Sequence, residues 1–374
     1  MVVLDIRLDN LYAFKNFHLN LTYPKKIVGS TIEDEHLAGH PNFRYKKVNI
    51  LMGANASGKS TLGRALMKIF NFIDKKDLSF LVDSISNQEQ EAMFSLDMAS
   101  SRNVFYRIVC KIKLPVKEKH TEDCVDLRIQ AINIRADDSY ESCVSRLEGT
   151  EYSPEKNYLL ELTKMEPLDW LFLYPESTDH ILHFPKNDKY FLFILENILK
   201  ALDPSIQSVE KSNDVENTYV VRLKEKAAIL QDGERFTTNL LSSGTKAGVE
   251  IAQFISSMKQ GHYSFYYCDE KFSYIHSDIE KALLSLMIDF LRPNDQLFFT
   301  THNTDILDMN LPKHTFTFLR NDPYDTDRPI TCVDAASILK RNTSSLKNAV
   351  ENDLFSCAPS VDRIYAIAER EMRG

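Results

Sequence analysis

The chain has 374 residues, of which 43% are hydrophobic and 10% are aromatic. This composition supports one large core or two lobes, and it excludes an intrinsically disordered chain. The formal net charge of −8 argues against a surface that coats nucleic acid over its whole area, although a local basic patch stays compatible with that total.

The sequence also limits the compartments that the chain can occupy. No run of about 18 uncharged apolar residues is present, so we expect no transmembrane helix and no membrane partner. The amino terminus carries early acidic residues and no apolar stretch of signal-peptide length. Six cysteines show neither a CxxC pair nor metal-like clustering. Isolated thiols in an unsecreted chain are typical of the reducing cytoplasm, where we expect the protein to be.

The first hundred residues predict two strands, a hairpin and a strand–loop–helix unit. Apolar and polar residues alternate between Val2 and Leu21, which predicts two short strands. Residues 24–46 contain Pro, Gly and an acidic run, and we interpret them as an inserted loop or hairpin. Residues 47–52 then form a buried strand, and the apolar spacing over 61–73 predicts a helix.

The middle of the chain is predicted to form strands, then helices, and then strands again. Residues 103–114 and 124–134 alternate like antiparallel strands. Residues 150–203 are predicted to be mostly helical, and two or three short strands follow near 206–231. We therefore expect a helical or mixed insertion over about 135–235.

The last third alternates helices with strands. Helices are predicted at about 244–258 and 277–291, and strands at 264–268 and 296–300. Strands separated by helices of this length imply parallel crossovers. Residues 334–374 are predicted to be a helical, somewhat basic tail.

Residues 53–60 fit the phosphate-loop pattern GxxxxGK[ST], between a buried strand and a helix. Glycines at 53 and 58 let the backbone curl so that N–H groups point at phosphate oxygens, and the helix adds its positive dipole end. Lys59 supplies charge to the β- and γ-phosphates, and the Ser60 hydroxyl is a ligand for Mg²⁺. The expected nucleotide-binding residues of the loop are Gly53, Asn55, Ala56, Ser57, Gly58, Lys59, Ser60 and Thr61.

Three further polar sites follow predicted strands or open a helix. Asp269 and Glu270 end an apolar strand, where side chains face the ligand crevice of an α/β sheet. We expect Asp269 to hold Mg²⁺ through water and Glu270 to act as general base on the attacking water. His302 follows the next strand, so it can reach the same crevice and hydrogen-bond the γ-phosphate.

Residues 241–245 (LSSGT) open a helix of small and apolar residues. A serine at this position is a common helix N-cap. The alternative is a second phosphate-binding helix end, formed by Ser242, Ser243 and Gly244. The sequence pattern alone leaves both interpretations open.

Taken in chain order, these sites resemble the ABC-type ATPase superfamily. The resemblance rests on GANASGKST at 53–61, LLSSGT at 240–245, YYCDE at 266–270 and FTTHN at 299–303. More narrowly, the chain resembles the AAA_15/AAA_21 group, related to the amino-terminal half of overcoming-lysogenization-defect proteins. The opening IRLDNLYAFKNF at 6–17 and LDPSI at 202–206 are also typical of that group.

The resemblance implies an α/β fold: a P-loop NTPase of the ABC-ATPase type, with a mixed sheet, an antiparallel β subdomain and a helical lobe. It implies an ATPase domain over residues 1–320 and a C-terminal helical tail over 321–374. It also implies a head-to-tail homodimer or larger homo-oligomer, in which ATP and Mg²⁺ on Lys59 of one subunit are capped by Ser242 and Gly244 of the other. The signature is LSSGT where many relatives have LSGGQ, and the resemblance implies that the phosphate contact is kept through Ser242 and Gly244.

Two elements of such sites are not assigned by the sequence. The candidates for the glutamine lid are Gln88, Gln90 and Gln130. The candidates for the aromatic ring that stacks on adenine are Tyr12, Phe14 and Phe43.

The resemblance further implies a stand-alone ATPase subunit of a bacterial phage-defence system of the PARIS or Septu type. Such a subunit senses a phage-derived trigger and controls a separately encoded effector, for instance a nuclease. No nuclease-like acidic cluster follows the last predicted strand, and the insert between phosphate loop and signature lacks sustained heptads. The alternatives are a nucleotide-locked scaffold with little turnover and a DNA-repair ATPase, and whether DNA binds is left open.

Overall fold

The structure is a computed structural model that describes residues 1–115, 121–150, 157–175, 182, 184–185, 190–234, 240–340, 345–357, 364–365 and 367. Its strands form four sheets with six, five, three and two members. In chain order the strands are β1 (Val2–Asp9), β2 (Phe17–Asn20), β3 (His36–Leu37), β4 (His40–Arg44), β5 (Val48–Met52), β6 (Ala92–Ala99), β7 (Val104–Ile112), β8 (Val125–Asn133), β9 (Trp170–Leu173), β10 (Ile206–Lys211), β11 (Thr218–Leu223), β12 (Ala227–Gln231), β13 (Phe265–Asp269), β14 (Gln296–Thr300), β15 (Phe316–Asn321) and β16 (Ile330–Asp334).

Helices connect these strands and cover the sheets. They are α1 (Lys59–Lys75), α2 (Ser79–Val82), α3 (Tyr140–Glu148), α4 (Tyr158–Thr163), α5 (Phe191–Leu202), α6 (Ser243–Gln260), α7 (Ser277–Asp289), α8 (Ala335–Ile338) and α9 (Leu346–Glu351). Short 3-10 turns lie at Glu122–Cys124, Thr304–Asp308 and Lys313–Thr315. Within the described ranges, no helix is both long and apolar enough to cross a membrane.

The six-stranded sheet is the centre of the molecule and has the order β16-β15-β5-β14-β13-β9. Its pairs are parallel except for β15 with β16. Every residue of β5, β13 and β14 is buried. Such continuous apolar strands are expected where elements cover both faces of a parallel sheet. The carboxyl ends of β5, β13, β14 and β9 therefore open at one edge.

Alternate side chains of the central sheet enter two different cores. Phe265, Tyr267 and Phe298 pack on α1, whose other side meets the antiparallel sheet β2-β1-β6-β7-β8. Tyr266 and Phe299 point the other way, towards α5, α6, α7 and the three-stranded sheet β10-β11-β12. The predicted antiparallel subdomain and mixed sheet are thus both present.

One predicted helical region contains a strand instead. Residues 150–203 include the helices α4 and α5, but Trp170–Leu173 forms β9, which pairs in parallel with β13. A short apolar run such as WLFL has no period that separates a buried strand from a buried helix. The neighbouring strand therefore decides its conformation. Several residues of this region, among them 151–156 and 176–181, lie outside the described residues.

The central sheet continues into the predicted tail. The expected boundary at residue 320 falls inside β15, and β16 pairs with β15 beyond it. In the described part of residues 334–374, the helical residues are those of the short helices α8 and α9 and those at 364–365 and 367. A helical tail domain stays a prediction. Residues 341–344, 358–363, 366 and 368–374 lie outside the described residues.

Candidate functional site

The phosphate loop joins the end of β5 to the start of α1, and its geometry requires its glycines. Gly53 has a φ of 147°, and a Cβ there would lie 2.2 Å from the carbonyl oxygen of Leu319. Gly58 has a φ of 103°, in the left-handed range that favours glycine. The curled backbone predicted from the motif is therefore the backbone that the structure has.

The amide groups at the start of α1 are free of side-chain caps. Gly58 is the N-cap residue and makes no side-chain cap, and the first turn carries no acidic residue. An uncapped helix start leaves backbone N–H groups and a positive dipole end, which together bind phosphate. Asn321 supports the loop by donating from Nδ2 to the Ala56 carbonyl oxygen at 3.0 Å. Asn55 and Ala56 are exposed, Ser57 is buried and Thr61 is half-buried.

Lys59 is folded back into this loop. Its Nζ donates to the carbonyl oxygens of Gly53 at 2.9 Å and Ala54 at 3.1 Å, and it lies 3.3 Å from Glu270 Oε1. Burial lowers the pKa of Lys59, and the negative charge of Glu270 opposes that effect. The cation is thus held by acceptors that a phosphate group can replace.

Asp269 ends β13 with one oxygen bonded and one left open. Thr300 Oγ1 donates to Asp269 Oδ1 at 2.6 Å. Asp269 Oδ2 is buried and makes no hydrogen bond within the described part of the chain. Burial raises the pKa of Asp269, whereas hydrogen bonding from Thr300 and then Ser60 lowers it in part. The Ser60 hydroxyl therefore lies beside this carboxylate.

These oxygens fit a magnesium ion. Mg²⁺ prefers oxygen ligands, keeps several waters, and is bound through one or two carboxylates together with substrate phosphates. The open Asp269 Oδ2 beside the Ser60 hydroxyl matches that requirement. Among the described residues, no group of three His, Cys, Asp or Glu side chains could hold a metal ion by itself. The protein therefore supplies part of a ligand set that a nucleotide and water would complete.

Glu270 follows directly and adopts a left-handed backbone with a φ of 42°. Its N–H donates to Thr300, to the carbonyl oxygen at 3.1 Å and to Oγ1 at 2.9 Å. Burial alone would raise the pKa of Glu270, but the hydrogen bond from His302 and the charge of Lys59 outweigh it, so the pKa is lowered. The carboxylate is therefore ionised and available as a proton acceptor at neutral pH.

His302 contacts the Glu270 carboxylate: its Nε2 lies 2.8 Å from Glu270 Oε1. The turn that carries it is held by Glu280 of α7, which the sequence analysis did not single out. Thr301 Oγ1 donates to Glu280 Oε1 at 2.7 Å, and Asn303 Nδ2 donates to Oε2 at 2.7 Å. Nothing in the sequence marks this glutamate, since it occupies an ordinary position in an amphipathic helix.

The serine at the start of α6 caps its own helix. Ser242 Oγ accepts from the Thr245 N–H at 3.1 Å and hydrogen-bonds Thr245 Oγ1 at 2.8 Å. Ser242 and Ser243 are exposed, and a Cβ on Gly244 would lie 3.2 Å from the carbonyl oxygen of Tyr274. The hydrogen bonds of Lys59 involve none of these three residues. The N-cap interpretation is therefore observed, and the phosphate contact stays a prediction.

A cavity of about 530 Å³ opens beside Glu270 and is lined by Tyr12, Arg64 and Tyr174, among others. Tyr12 is half-buried there and has an accessible face. Phe14 and Phe43 are buried in cores to 1% and 0% exposure. Of the three candidates for the ring that stacks on adenine, only Tyr12 is therefore accessible to a ligand.

None of the glutamine candidates lies at this edge by its observed contacts. Gln130 is buried and donates from Nε2 to the carbonyl oxygen of Thr150 at 3.0 Å. Gln88 is exposed, lines a different cavity and donates to the carbonyl oxygen of Ile85 at 3.3 Å. Gln90 is exposed, and its carbonyl oxygen accepts from Asn10. The structure thus gives no support to a lid built from these three residues.

Comparison with known proteins identifies the fold. No family model and no curated protein matches the sequence. The Smc head domain with an extended coiled coil, bound to the C-terminal domain of ScpA and derived from Pyrococcus furiosus, has a TM-score of 0.51 at 10% identity, covering 91% of this chain and 98% of that chain.

Two further solved structures are similar at lower scores. An SmcHead bound to the C-winged helix domain of ScpA has a TM-score of 0.49 at 12% identity, covering 91% of this chain and 100% of that chain. The SMC head domain from Thermotoga maritima has a TM-score of 0.43 at 13% identity, covering 89% of this chain and 99% of that chain. Identities this low show the fold alone, and that conclusion rests on the Pyrococcus furiosus structure. The predicted mixed α/β fold is confirmed, and it is similar to the fold of that Smc head domain.

Proposed function

We propose that this chain binds ATP, hydrolyses it, and assembles head to tail with a second copy of itself. One observation carries the proposal: residues from three separate strand ends meet at the phosphate loop. Glu270 Oε1 lies 3.3 Å from Lys59 Nζ and 2.8 Å from His302 Nε2. Asp269 and Ser60 lie beside them with one carboxylate oxygen unpaired.

Binding begins with an exchange of partners at Lys59. The ammonium gives up the carbonyl oxygens of Gly53 and Ala54 and takes phosphate oxygens, which the uncapped amides of α1 also contact. Ser60 and Asp269 would hold Mg²⁺, which neutralises charge on the phosphates when it is bound. The same exchange removes Lys59 from Glu270 and frees its carboxylate.

Hydrolysis then needs a base, and Glu270 has the required protonation state. Its lowered pKa keeps the carboxylate ionised, so it can accept the proton of an attacking water. His302 holds one carboxylate oxygen, while Glu280 fixes the turn on which His302 lies. The base is thereby oriented by side chains from the turn after β14 and from α7.

A second copy would supply the contact between the start of α6 and the bound phosphates. The exposed start of α6, at Ser242 and Ser243, offers helix amides and a hydroxyl to an anion, yet it makes no hydrogen bond to Lys59 in its own subunit. A head-to-tail arrangement would place this helix start over the phosphates bound by the other subunit. Each dimer would then contain two composite sites.

For the biological role, we propose control of a separately encoded effector, such as a nuclease, in defence against phage. The support is the motif resemblance described above. The Pyrococcus furiosus head domain of similar fold was solved bound to a ScpA domain, and a protein partner suits this chain as well.

Measurement of ATP turnover tests the enzymatic part of the proposal. The parent chain should release phosphate from ATP in the presence of Mg²⁺. Glu270→Gln should keep ATP binding and lose about a hundredfold in rate, because a positioned base contributes on that order. Lys59→Ala should lose ATP binding, since its cation is removed from the phosphates.

The matched control is Glu89→Gln, an exposed glutamate outside the site, which should turn over ATP at the parent rate. Unchanged nucleotide affinity in Lys59→Ala would rule out the phosphate-loop assignment. A parent-like rate in Glu270→Gln would show that another group is the base.

A further inference from the structure

Tyr174 lies at the same sheet edge as the site but belongs to no motif in the sequence. It directly follows β9, whose last residue Leu173 pairs with Cys268 in parallel register. The next residues along this pair, Tyr174 and Asp269, therefore leave the sheet side by side. β9 thus brings a tyrosine to the carboxylate that ends β13.

The hydroxyl of Tyr174 is buried and has no hydrogen-bond partner among the described residues. Its ring stacks on Phe172, with centroids 6.0 Å apart and planes 11° apart, and Phe172 stacks in turn on Tyr267 at 5.3 Å. The ring therefore cannot turn away without losing these contacts. Buried polar groups almost always have partners in native structures, so an unpaired hydroxyl held in this way points to a ligand.

A second unpaired oxygen lies at the end of the neighbouring strand, β13. Asp269 Oδ2 is also buried without a partner, and Asp269 is close enough to act on Tyr174 electrostatically. Tyr174 and Glu270 line the same cavity of about 530 Å³. Lys271 Nζ donates to the Pro175 carbonyl oxygen at 3.2 Å, which ties the end of β9 to the Glu270 turn. Tyr174 therefore lines the cavity beside Glu270, at the sheet edge where Asp269 keeps an unpaired oxygen.

The chemistry of the hydroxyl selects the kind of ligand. Burial, and then the charge of Asp269, raise the pKa of Tyr174, so the hydroxyl keeps its proton. A hydroxyl that donates a proton, beside the carboxyl groups of Asp269 and Glu270, suits an anion that arrives with its own cation. Phosphate oxygens bound together with Mg²⁺ meet that description.

We infer that the Tyr174 hydroxyl donates a hydrogen bond to the terminal phosphate of bound ATP and so distinguishes ATP from ADP. This inference rests on the proposed function, because it places a third phosphate at the Asp269–Glu270 edge. It assigns a nucleotide contact to a strand end that no motif marks.

The test compares ATP and ADP binding by calorimetry after removal of this single oxygen. Tyr174→Phe is made in the Glu270→Gln background, so that ATP is not consumed, and Mg²⁺ is present throughout. We expect about tenfold weaker binding of ATP and unchanged binding of ADP, since a hydrogen bond to a charged group is lost. The control is Tyr23→Phe, which removes the hydroxyl of a half-buried tyrosine packed on His314.

A second readout separates a ligand contact from a structural one. Without nucleotide, Tyr174→Phe should unfold at the same or a higher temperature than its background, because no internal hydrogen bond is lost. A lower unfolding temperature, or equal weakening of ATP and ADP, would overturn the inference. ATP binding as tight as in the background would overturn it as well. Failure of the parent chain to bind either nucleotide would instead contradict the proposed function.

Discussion

Glu270 combines a strained backbone with a defined charge. A non-glycine residue at a φ of 42° costs about 1–3 kcal/mol, and it persists where the surroundings hold it. Here two hydrogen bonds from its N–H to Thr300 hold it, at 3.1 Å and 2.9 Å. The strain turns the carboxylate from the end of β13 towards Lys59 and His302.

The pH dependence of turnover should report on His302. In the parent, the lowered pKa of Glu270 keeps the base ionised as pH falls through the usual glutamate range, so activity is lost only below that range. His302→Ala removes the hydrogen bond that lowers this pKa most. The acid limb of the pH–rate profile should therefore move to higher pH.

Profiles should be measured from pH 4 to pH 8 beside His262→Ala, an exposed histidine outside the site, as the control. Lys59, Asp269 and His302 lie beside Glu270, Tyr267 interacts with it, and Arg64 and Lys68 line the same cavity. Of these groups, the variant changes His302 alone. Coincident acid limbs for His302→Ala and the parent would contradict this account of the base.

At the level of elements, a buried ion pair links α6 to the turn after β13 that carries Glu270. Lys271, next to Glu270, pairs with Glu250 of α6, and the two side chains are 4% and 9% exposed. Lys271 also holds the Pro175 carbonyl oxygen at 3.2 Å. The helix that would cap a partner's phosphates is thus fixed to the turn that carries Glu270, the proposed base.

Removing one partner of the Lys271–Glu250 pair should lower the free energy of unfolding. Glu250→Gln removes the carboxylate that pairs with the buried Lys271 ammonium, so we expect a loss of about 3 kcal/mol in the free energy of unfolding. The double variant Glu250→Leu with Lys271→Met should recover most of that loss, because apolar groups of similar size remove both charges. Urea-induced unfolding measures each value.

The exposed i,i+4 pair Glu196–Lys200 on α5 provides the comparison, with N···O at 2.7 Å. Glu196→Gln should cost less than about 1 kcal/mol, since exposed pairs contribute little. If the Leu/Met double variant were as unstable as Glu250→Gln, the cost would lie in packing and not in the broken ion pair.

Element by element, the sequence predicts what depends on local pattern. The phosphate loop, the helices α6 and α7 and the strands β13 and β14 follow from spacing and turn residues within each segment. β9 does not, because its four apolar residues become a strand only through pairing with β13. Glu280 and Tyr174 could not be predicted for the same reason. Each is brought to the site by contacts with residues far away in sequence.

At the scale of the whole molecule, the parallel strands bring distant motifs to one edge. β5, β13 and β14 end in Met52, Asp269 and Thr300, and the other side chains of the site lie in the turns that follow or in the first turn of α1. Two cores support this sheet, one against α1 and the antiparallel sheet, the other against α5, α6 and α7. The start of α6 remains exposed at Ser242 and Ser243, where a second copy would dock.

The molar mass of Glu270→Gln, measured by light scattering with Mg-ATP, Mg-ADP and no nucleotide, tests this arrangement most directly. We predict a dimer or larger particle with Mg-ATP only, and its loss in the additional variant Ser243→Arg, which places a bulky side chain on the exposed start of α6. Ser101→Arg, an exposed serine between β6 and β7, should assemble normally. A particle that stays monomeric with ATP bound, or a large particle indifferent to ATP, would contradict the composite site.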